Sequence, residues 1–113
     1  MKEIKAIIQP YMAEDACDAL AEIDGLPGLT ISQVQGFGKS RAVGADAVIE
    51  ENGRSFARMT KLEVVVADDM APLVVDAIAR AAHTGKPGDG KIFVYEVSEV
   101  VKIRTGERGK SAI

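Results

Sequence analysis

The chain repeats itself at an offset of 58 residues, and this internal repeat is the feature that most limits its fold. The run from Ile4 to Ile8 aligns with the run from Leu62 to Val66, and both are short apolar stretches typical of buried strands. Met12 aligns with Met70, each at the start of a segment whose apolar residues recur with helical spacing. The repeat therefore predicts two halves with the same order of elements.

Each half continues into a further strand, so the predicted order is strand, helix, strand, twice. The predicted strands are Ile4 to Ile8, Leu29 to Val34, Lys61 to Ala67 and Lys91 to Val97, with a short extra one at Val100 to Arg104, and the helices run from Met12 to Ile23 and from Asp68-Asp69 to about His83. This order predicts an α+β, ferredoxin-like βαββαβ domain over residues 1–113. Its four-stranded antiparallel sheet carries both helices on one face.

The predicted strands carry apolar residues on both faces, although two helices cover only one. Along the third strand, Val64 and Val66 point to one side of the sheet and Val65 to the other. A second copy of the chain is the simplest cover for the remaining face, and a partly solvated sheet is the alternative.

Charge and cysteine content exclude several classes of function. The net charge of −3, from 14 basic and 17 acidic residues, argues against general attraction to nucleic acid or anionic lipid. One cysteine and one histidine form neither a disulfide nor a Cys/His metal cluster. Cys17 is interpreted as a core residue and His83 as a helix-capping residue. The apolar runs are too short for a signal peptide or a membrane span, so we expect a cytoplasmic protein.

A long charged loop, residues 38–58, separates the second and third predicted strands. Asn52-Gly53 lies between two apolar runs there, which indicates a two-stranded hairpin. Long loops concentrate functional contacts, so we favour a partner-binding element over a structural insertion. The candidate contact residues are Arg41, Asp46, Glu50, Glu51, Arg54 and Phe56.

Three segments combine glycine or a hydroxyl group with basic residues, as anion sites do. They are Gly36 to Lys39, the run from Thr84 to Lys91, hereafter the glycine loop, and the basic tail, residues 102–113, with Lys102 and Arg104. Glycine lets backbone N–H groups approach an anion, and Lys or Arg offsets its charge. The glycine loop follows a helix and leads into a strand, so it is not a Walker A loop, and a simple connector is the alternative.

Together these segments resemble the PII signal-transduction family of nitrogen regulatory PII-like proteins. Members are trimeric regulators that bind ATP or ADP in clefts between subunits and present a long loop to partner proteins. The resemblance covers nearly the whole chain and rests on Lys5 to Pro10, Gly36 to Lys39, Thr84 to Val94 and Ile103 to Glu107. No nucleophile and base stand out as a pair, so we expect no catalytic residue and no metal site.

The resemblance implies a homotrimer that binds ATP or ADP, with AMP as a third candidate and Mg²⁺ as an accompanying ion. It implies nucleotide contacts at Thr30, Gly36, Phe37, Gly38, Lys39, Val65, Thr84, Gly88, Asp89, Gly90, Lys91, Lys102 and Arg104. Thr30 and Val65 would lie near adenine, and Lys102 and Arg104 would reach the phosphates from a neighbouring subunit. The implied partner is a protein, either an enzyme or a membrane transporter.

Five positions depart from the family pattern. Lys102 stands where the family commonly has arginine, which weakens bidentate phosphate contact there. Ser40 and Met59 replace the glutamine and lysine of members that sense 2-oxoglutarate, so another effector such as bicarbonate or a different small anion is expected. Asn52 stands at the uridylylated tyrosine and Glu50 at a serine that some relatives phosphorylate. Two other classes remain open: a trimeric metal-tolerance protein of the copper-tolerance type and a nucleotide-hydrolysing enzyme.

Overall fold

A computed structural model describes residues 1–37, 48–51 and 54–113 of the chain. The strands are β1 (Lys2–Ile8), β2 (Thr30–Gly36), β3 (Val48–Glu51), β4 (Arg54–Val66) and β5 (Gly90–Glu96), and the helices are α1 (Ala13–Ala21) and α2 (Ala71–Ala82). Three 3-10 turns, Pro10–Met12, Asp68–Met70 and Lys110–Ala112, complete the regular structure of these residues.

The strands form one antiparallel sheet in the order β2-β4-β1-β5, and β3 pairs with the first part of β4. In β1, the central strand, Lys5 lies opposite Glu63 of β4 on one side and opposite Phe93 of β5 on the other. The order of elements and the antiparallel pairing confirm the ferredoxin-like fold.

The core lies between the sheet and both helices. The strands contribute alternate residues to it, as a sheet covered on one face requires. The buried set is Ile4, Ala6, Ile8, Leu62, Val64 and Val66 from the sheet, with Ala16, Leu20, Ala71, Val74, Ile78 and Ala82 from the helices. Cys17 packs against this cluster as predicted, and burial raises the pKa of its thiol.

The 58-residue repeat is visible in the backbone at the start of each helix. Met12 donates its N–H to the carbonyl of Gln9 at 3.0 Å, and Met70 donates to the carbonyl of Ala67 at 3.0 Å. Both methionines end a 3-10 turn and stand at the N-cap of the helix that follows. The two halves therefore use the same turn at equivalent positions.

Two predicted boundaries were wrong. The third predicted strand begins at Arg54 rather than Lys61, because β4 pairs with β2 as far back as Ala57 and with β3 as far back as Arg54. The predicted strand from Val100 to Arg104 is only a single bridge between Val101 and Arg108. The hairpin itself is confirmed, since Glu51 pairs with Arg54 across the two intervening residues.

Asp68 begins the 3-10 turn that leads into α2, as the sequence predicts, but its side chain does not cap the helix. The turn that contains it makes no side-chain cap, and its carboxylate instead pairs with the amine of Met1 at 2.8 Å and Nζ of Lys2 at 3.5 Å. The hydrogen bond from the Met1 amine is the largest cause of the lowered pKa of Asp68. The Asp68 carboxylate therefore contacts the first two residues of the chain rather than the start of α2.

The face of the sheet away from the helices carries aromatic and charged side chains. Nζ of Lys5 lies 4.8 Å from the ring centroid of Tyr95 and 5.7 Å from that of Phe93. A hydrogen bond with Tyr95 is the main cause of the raised pKa of Lys5. Phe93 and Tyr95 are 39% and 43% exposed, so this face is incompletely covered in a single chain.

Substituting Gly90 tests how closely β5 approaches β1. A Cβ atom at Gly90 would lie 1.8 Å from the carbonyl oxygen of Ile7, and Gly90 has a φ of +102°. We expect Gly90→Ala to lower the free energy of unfolding by about 2 to 4 kcal/mol in urea denaturation, because backbone must move to admit the methyl group.

Gly106→Ala is the matched control for that substitution. Gly106 also has a positive φ, +75°, but no atom lies within 4 Å of its would-be Cβ. It should show only the cost of the backbone conformation, about 1 kcal/mol. Equal losses in the two variants would contradict a steric role for Gly90.

Candidate functional site

Asp89 organises the glycine loop by accepting hydrogen bonds from its first residues. Its Oδ2 accepts from the backbone N–H of Thr84 at 2.8 Å and of Gly85 at 2.9 Å, and its Oδ1 accepts from the Thr84 hydroxyl. The Thr84 hydroxyl also accepts from the N–H of Lys86 at 3.1 Å. The Thr84 and Asp89 side chains thus hold the loop closed, and their predicted contact with a nucleotide stays a prediction.

Three glycines of this loop have backbone conformations that other residues rarely adopt. The φ angles are +84° at Gly85, +95° at Gly88 and +102° at Gly90. Lys91, which follows Gly90, is exposed at the start of β5. Backbone N–H groups beside a basic side chain form the usual surroundings of a bound phosphate outside Walker A proteins.

One residue that sequence reasoning missed supports the loop from β1. Nε2 of Gln9 donates to the carbonyl oxygen of Gly88 at 2.6 Å, and Gln9 is 3% exposed. The two residues are 79 positions apart, so local sequence carries no signal of the contact.

His83 ends α2 as its C-cap residue, which confirms the sequence interpretation. Its Nδ1 lies 3.8 Å from Oδ2 of Asp89, and its side chain is 72% exposed. An exposed imidazole at this distance contributes little to the geometry of the loop.

A second feature, hereafter the Thr30 cleft, lies near the other end of the sheet. It has a volume of about 390 Å³ and is lined by Thr30 and Val65, the two residues that the family resemblance implies lie near adenine. Glu63 lines it from the same strand as Val65, and Ala112 and Ile113 line it from the basic tail. The sequence analysis did not identify these last three residues.

The basic tail folds into a compact turn beside this cleft. Val100 belongs to the cleft lining, and its carbonyl accepts from the N–H of Gly109 at 2.9 Å. Nζ of Lys102 lies 3.5 Å from Oε1 of Glu107, whereas Arg104 is exposed. Ile103, between the two basic residues, is 98% exposed, so the tip of this turn projects from the chain.

The structure separates the glycine loop from the Thr30 cleft. Gly90 is level with Ile8 of β1 and Val65 is level with Glu3, five residues along the same strand. Five residues of strand correspond to about 16 Å. One chain therefore does not place the loop and the cleft around one small anion.

Gly36 and Phe37 also lie away from the glycine loop. Gly36 ends β2, and Gly90 begins β5, at opposite edges of the sheet. Three strand spacings, about 14 Å, separate those edges. Gly38, Lys39, Ser40, Arg41, Asp46 and Asn52 lie outside the described residues.

Two aromatic rings pack together where the long loop leaves the sheet. The ring centroids of Phe37 and Phe56 are 5.6 Å apart with an interplanar angle of 47°. Phe56 lies in β4 rather than in a loop, while Glu50 and Glu51 lie in β3 and Arg54 begins β4. Met59, further along β4, is 8% exposed, and its Cγ is 3.7 Å from the position a Cβ would take at Gly36.

Within the described residues, no group of three or more His, Cys, Asp or Glu side chains is arranged to hold a metal ion. Neither α1 nor α2 has the length and hydrophobicity that crossing a membrane requires, and the same described ranges contain no other α-helix.

Asp89→Asn tests the carboxylate at the centre of the glycine loop. Hydrogen bonds from the Thr84 hydroxyl, then from backbone N–H groups, lower the pKa of Asp89. A lowered pKa in the folded state adds stability above the unfolded-state pKa of about 4, and this is lost as pH falls through the folded pKa. The variant should therefore melt below the wild type at pH 7, and the two melting temperatures should converge below about pH 4.

The exposed carboxylate of Asp76 on α2 provides the matched control. Asp76→Asn should leave the melting temperature at pH 7 within about 1 °C of the wild type, as surface substitutions usually do. A pH-independent gap between wild type and Asp89→Asn would contradict the role of the ionised carboxylate.

The chain is similar to a known protein family over nearly its whole length. The profile of the family Nitrogen regulatory protein P-II matches residues 1–107. Nitrogen regulatory protein P-II of Klebsiella oxytoca and nitrogen regulatory protein P-II 1 of Escherichia coli (strain K12) are each 44% identical to the chain over 118 aligned residues, which cover 100% of both sequences.

A solved structure agrees with these sequence matches. Arabidopsis thaliana PII bound to citrate superposes with a TM-score of 0.81 at 38% sequence identity, covering 99% of this chain and 91% of that one. The resemblance drawn from the glycine and basic motifs is confirmed. The relatives are named as regulatory proteins, and the chain belongs to the nitrogen regulatory protein P-II signalling family.

Proposed function

We propose that this protein is a signalling regulator that binds ATP or ADP between the subunits of a homotrimer and controls a partner protein through its long loop. It acts by binding rather than by catalysis. The observation that carries the proposal is the presence of a preformed glycine loop and a separate cleft about 16 Å apart along the sheet of one chain.

The glycine loop is suited to the phosphates. Positive φ angles at Gly85, Gly88 and Gly90 allow a tight loop, in which the N–H groups of Thr84 and Gly85 donate to the Asp89 carboxylate. The backbone from Gly88 to Gly90 is the proposed phosphate contact. Lys91 adds a positive charge at the end of the loop. A charge-assisted hydrogen bond to phosphate contributes about 1.5 to 3 kcal/mol.

The Thr30 cleft is suited to the base. Its lining combines the aliphatic side chains of Val65 and Ile113 with the polar groups of Thr30 and Glu63. Small-molecule sites commonly have this composition, an apolar surface with a few polar groups that fix orientation. Its position beside the basic tail brings Lys102 and Arg104 to the same side of the chain.

Association through the open face of the sheet would bring the two features together. Phe93 and Tyr95 are partly exposed there, and burial against other subunits would cover them. In a cyclic trimer, the glycine loop of one subunit can meet the cleft and basic tail of the next. The exposed Arg104 then lies where it can contact phosphates, with Mg²⁺ as an accompanying ion.

The long loop is the element that we expect partner proteins to contact. Phe37 follows β2 directly and packs on Phe56, which links the nucleotide-binding segment around Gly36 to the hairpin of β3 and β4. A nucleotide can shift the loop between two states only if it binds them with different affinity. We propose an enzyme or a membrane transporter as the partner.

Mixing two variants with weakened ATP binding tests whether each nucleotide site is shared between two subunits. Lys91→Ala and Arg104→Ala should each weaken ATP binding about 10-fold to 100-fold, by loss of one charge-assisted bond. Subunits of the two variants, unfolded and refolded together, should regain wild-type affinity at one site in each mixed trimer. Calorimetry measures the affinity and the number of sites, and light scattering should give about three times 12.0 kDa.

Arg80→Ala, on the exposed surface of α2, removes a positive charge elsewhere and should bind ATP as the wild type does. A concentration-independent monomer, or no recovery of affinity on mixing, would refute the shared site.

Shortening the long loop tests its role in partner binding. Replacing residues 42–53 with a short glycine-serine linker should leave the trimer and most of the ATP affinity intact, because the described core is built from β1, β4, α1 and α2. The same change should abolish nucleotide-dependent capture of partner proteins. Unchanged capture with the same preference for ATP or ADP would show that another surface carries the signal.

A further inference from the structure

Gln9 is a buried polar side chain that the proposed function does not yet use. It is 3% exposed and lies at the end of β1, directly before the 3-10 turn Pro10–Met12. Its Nε2 donates to the carbonyl oxygen of Gly88 at 2.6 Å, and its Oε1 is buried without a hydrogen-bond partner in the structure. A buried acceptor without a partner is uncommon and calls for a reason.

The internal repeat shows that the turn itself does not need this carboxamide. Ala67 stands at the equivalent position of the second half, with φ and ψ of −64° and 154° against −64° and 139° at Gln9. Each carbonyl accepts a 3.0 Å hydrogen bond from the methionine three residues later. Because alanine serves the same backbone geometry, the Gln9 side chain must serve something beyond the turn.

The Gln9 side chain contacts the peptide unit between Gly88 and Asp89. In a trans peptide, the carbonyl and the following N–H point in opposite directions. The Gln9 hydrogen bond directs the Gly88 carbonyl towards β1, so the N–H of Asp89 points away from β1. Gly88 has a φ of +95°, and glycine, which is flexible, would otherwise leave this peptide free to turn over.

We propose that Gln9 is a positioning residue for phosphate binding, which locks the Gly88–Asp89 peptide with its N–H facing the anion. This inference rests on the proposed nucleotide function. Without the Gln9 donor, the peptide can rotate and present its carbonyl oxygen, which repels phosphate.

Gln9→Met separates positioning from fold stability. Methionine has a similar length and removes both the unpaired acceptor and the donor to Gly88, so the two effects on stability oppose each other. The melting temperature of the ligand-free protein should therefore change little. Affinity for ATP and for inorganic tripolyphosphate should each fall about 10-fold by calorimetry. Gln33→Met is the matched control, because it removes the contact with Thr60 on β4 and should leave both affinities unchanged.

Gln9→Glu adds a pH readout that a structural role alone would not produce. An ionised carboxylate offers no donor to the Gly88 carbonyl, whereas the protonated acid does, and burial raises the pKa of a carboxyl group. Tripolyphosphate affinity, expressed relative to the wild type at each pH, should be reduced by more than 10-fold at pH 8 and recover towards pH 5.5.

The outcomes distinguish this inference from the function on which it rests. Wild type that binds ATP, with a Gln9→Met variant of equal ATP and tripolyphosphate affinity, overturns the positioning role and leaves the proposed function in place. A Gln9→Met variant that loses affinity only in proportion to a lower melting temperature also overturns it. Wild type that binds neither ATP nor tripolyphosphate overturns both.

Discussion

The close approach of β5 to β1 is the constraint on which the rest of the site depends. Position 90 has no room for a side chain, because a Cβ there would overlap the carbonyl of Ile7. The strand can begin this close to β1 only with glycine, and the residues before it are therefore held over the end of β1. In this position the Gly88 carbonyl accepts a hydrogen bond from Gln9, and the Asp89 carboxylate accepts hydrogen bonds from the N–H groups of the preceding turn.

The internal repeat explains how a short chain forms the domain that carries this site. The two halves supply equivalent strands, turns and helices, and their apolar faces combine into one core. The halves differ in side chains that reach beyond this common framework. Gln9 and Ala67 occupy the same backbone geometry, but only the glutamine extends to the glycine loop.

The separation of the glycine loop from the Thr30 cleft gives the proposed trimer a physical role. If subunits share each nucleotide site, binding depends on assembly, and a bound nucleotide contacts two chains at once. Phe37, which directly follows Gly36, packs on Phe56 of β4, so the predicted nucleotide-binding residues at the end of β2 contact the hairpin. If the proposed site includes residues at the base of the loop, ATP and ADP can shift the loop only by binding its states with different affinity.

The sequence by itself determined the features that depend on neighbouring residues. Apolar periodicity predicted both helices and the faces of the strands, the repeat predicted their order, and Asn52-Gly53 predicted a hairpin that the pairing of Glu51 with Arg54 confirms. The glycine and basic motifs were sufficient to identify the family, because the residues within each motif are adjacent in the chain.

Only the tertiary structure decided which distant groups meet. It extended β4 back to Arg54, directed Asp68 to the amine of Met1 instead of α2, and brought Gln9 to Gly88. It also placed Ile113 beside Thr30 in one cleft. Such contacts depend on how the whole chain packs, and local propensity carries no information about partners that many residues separate.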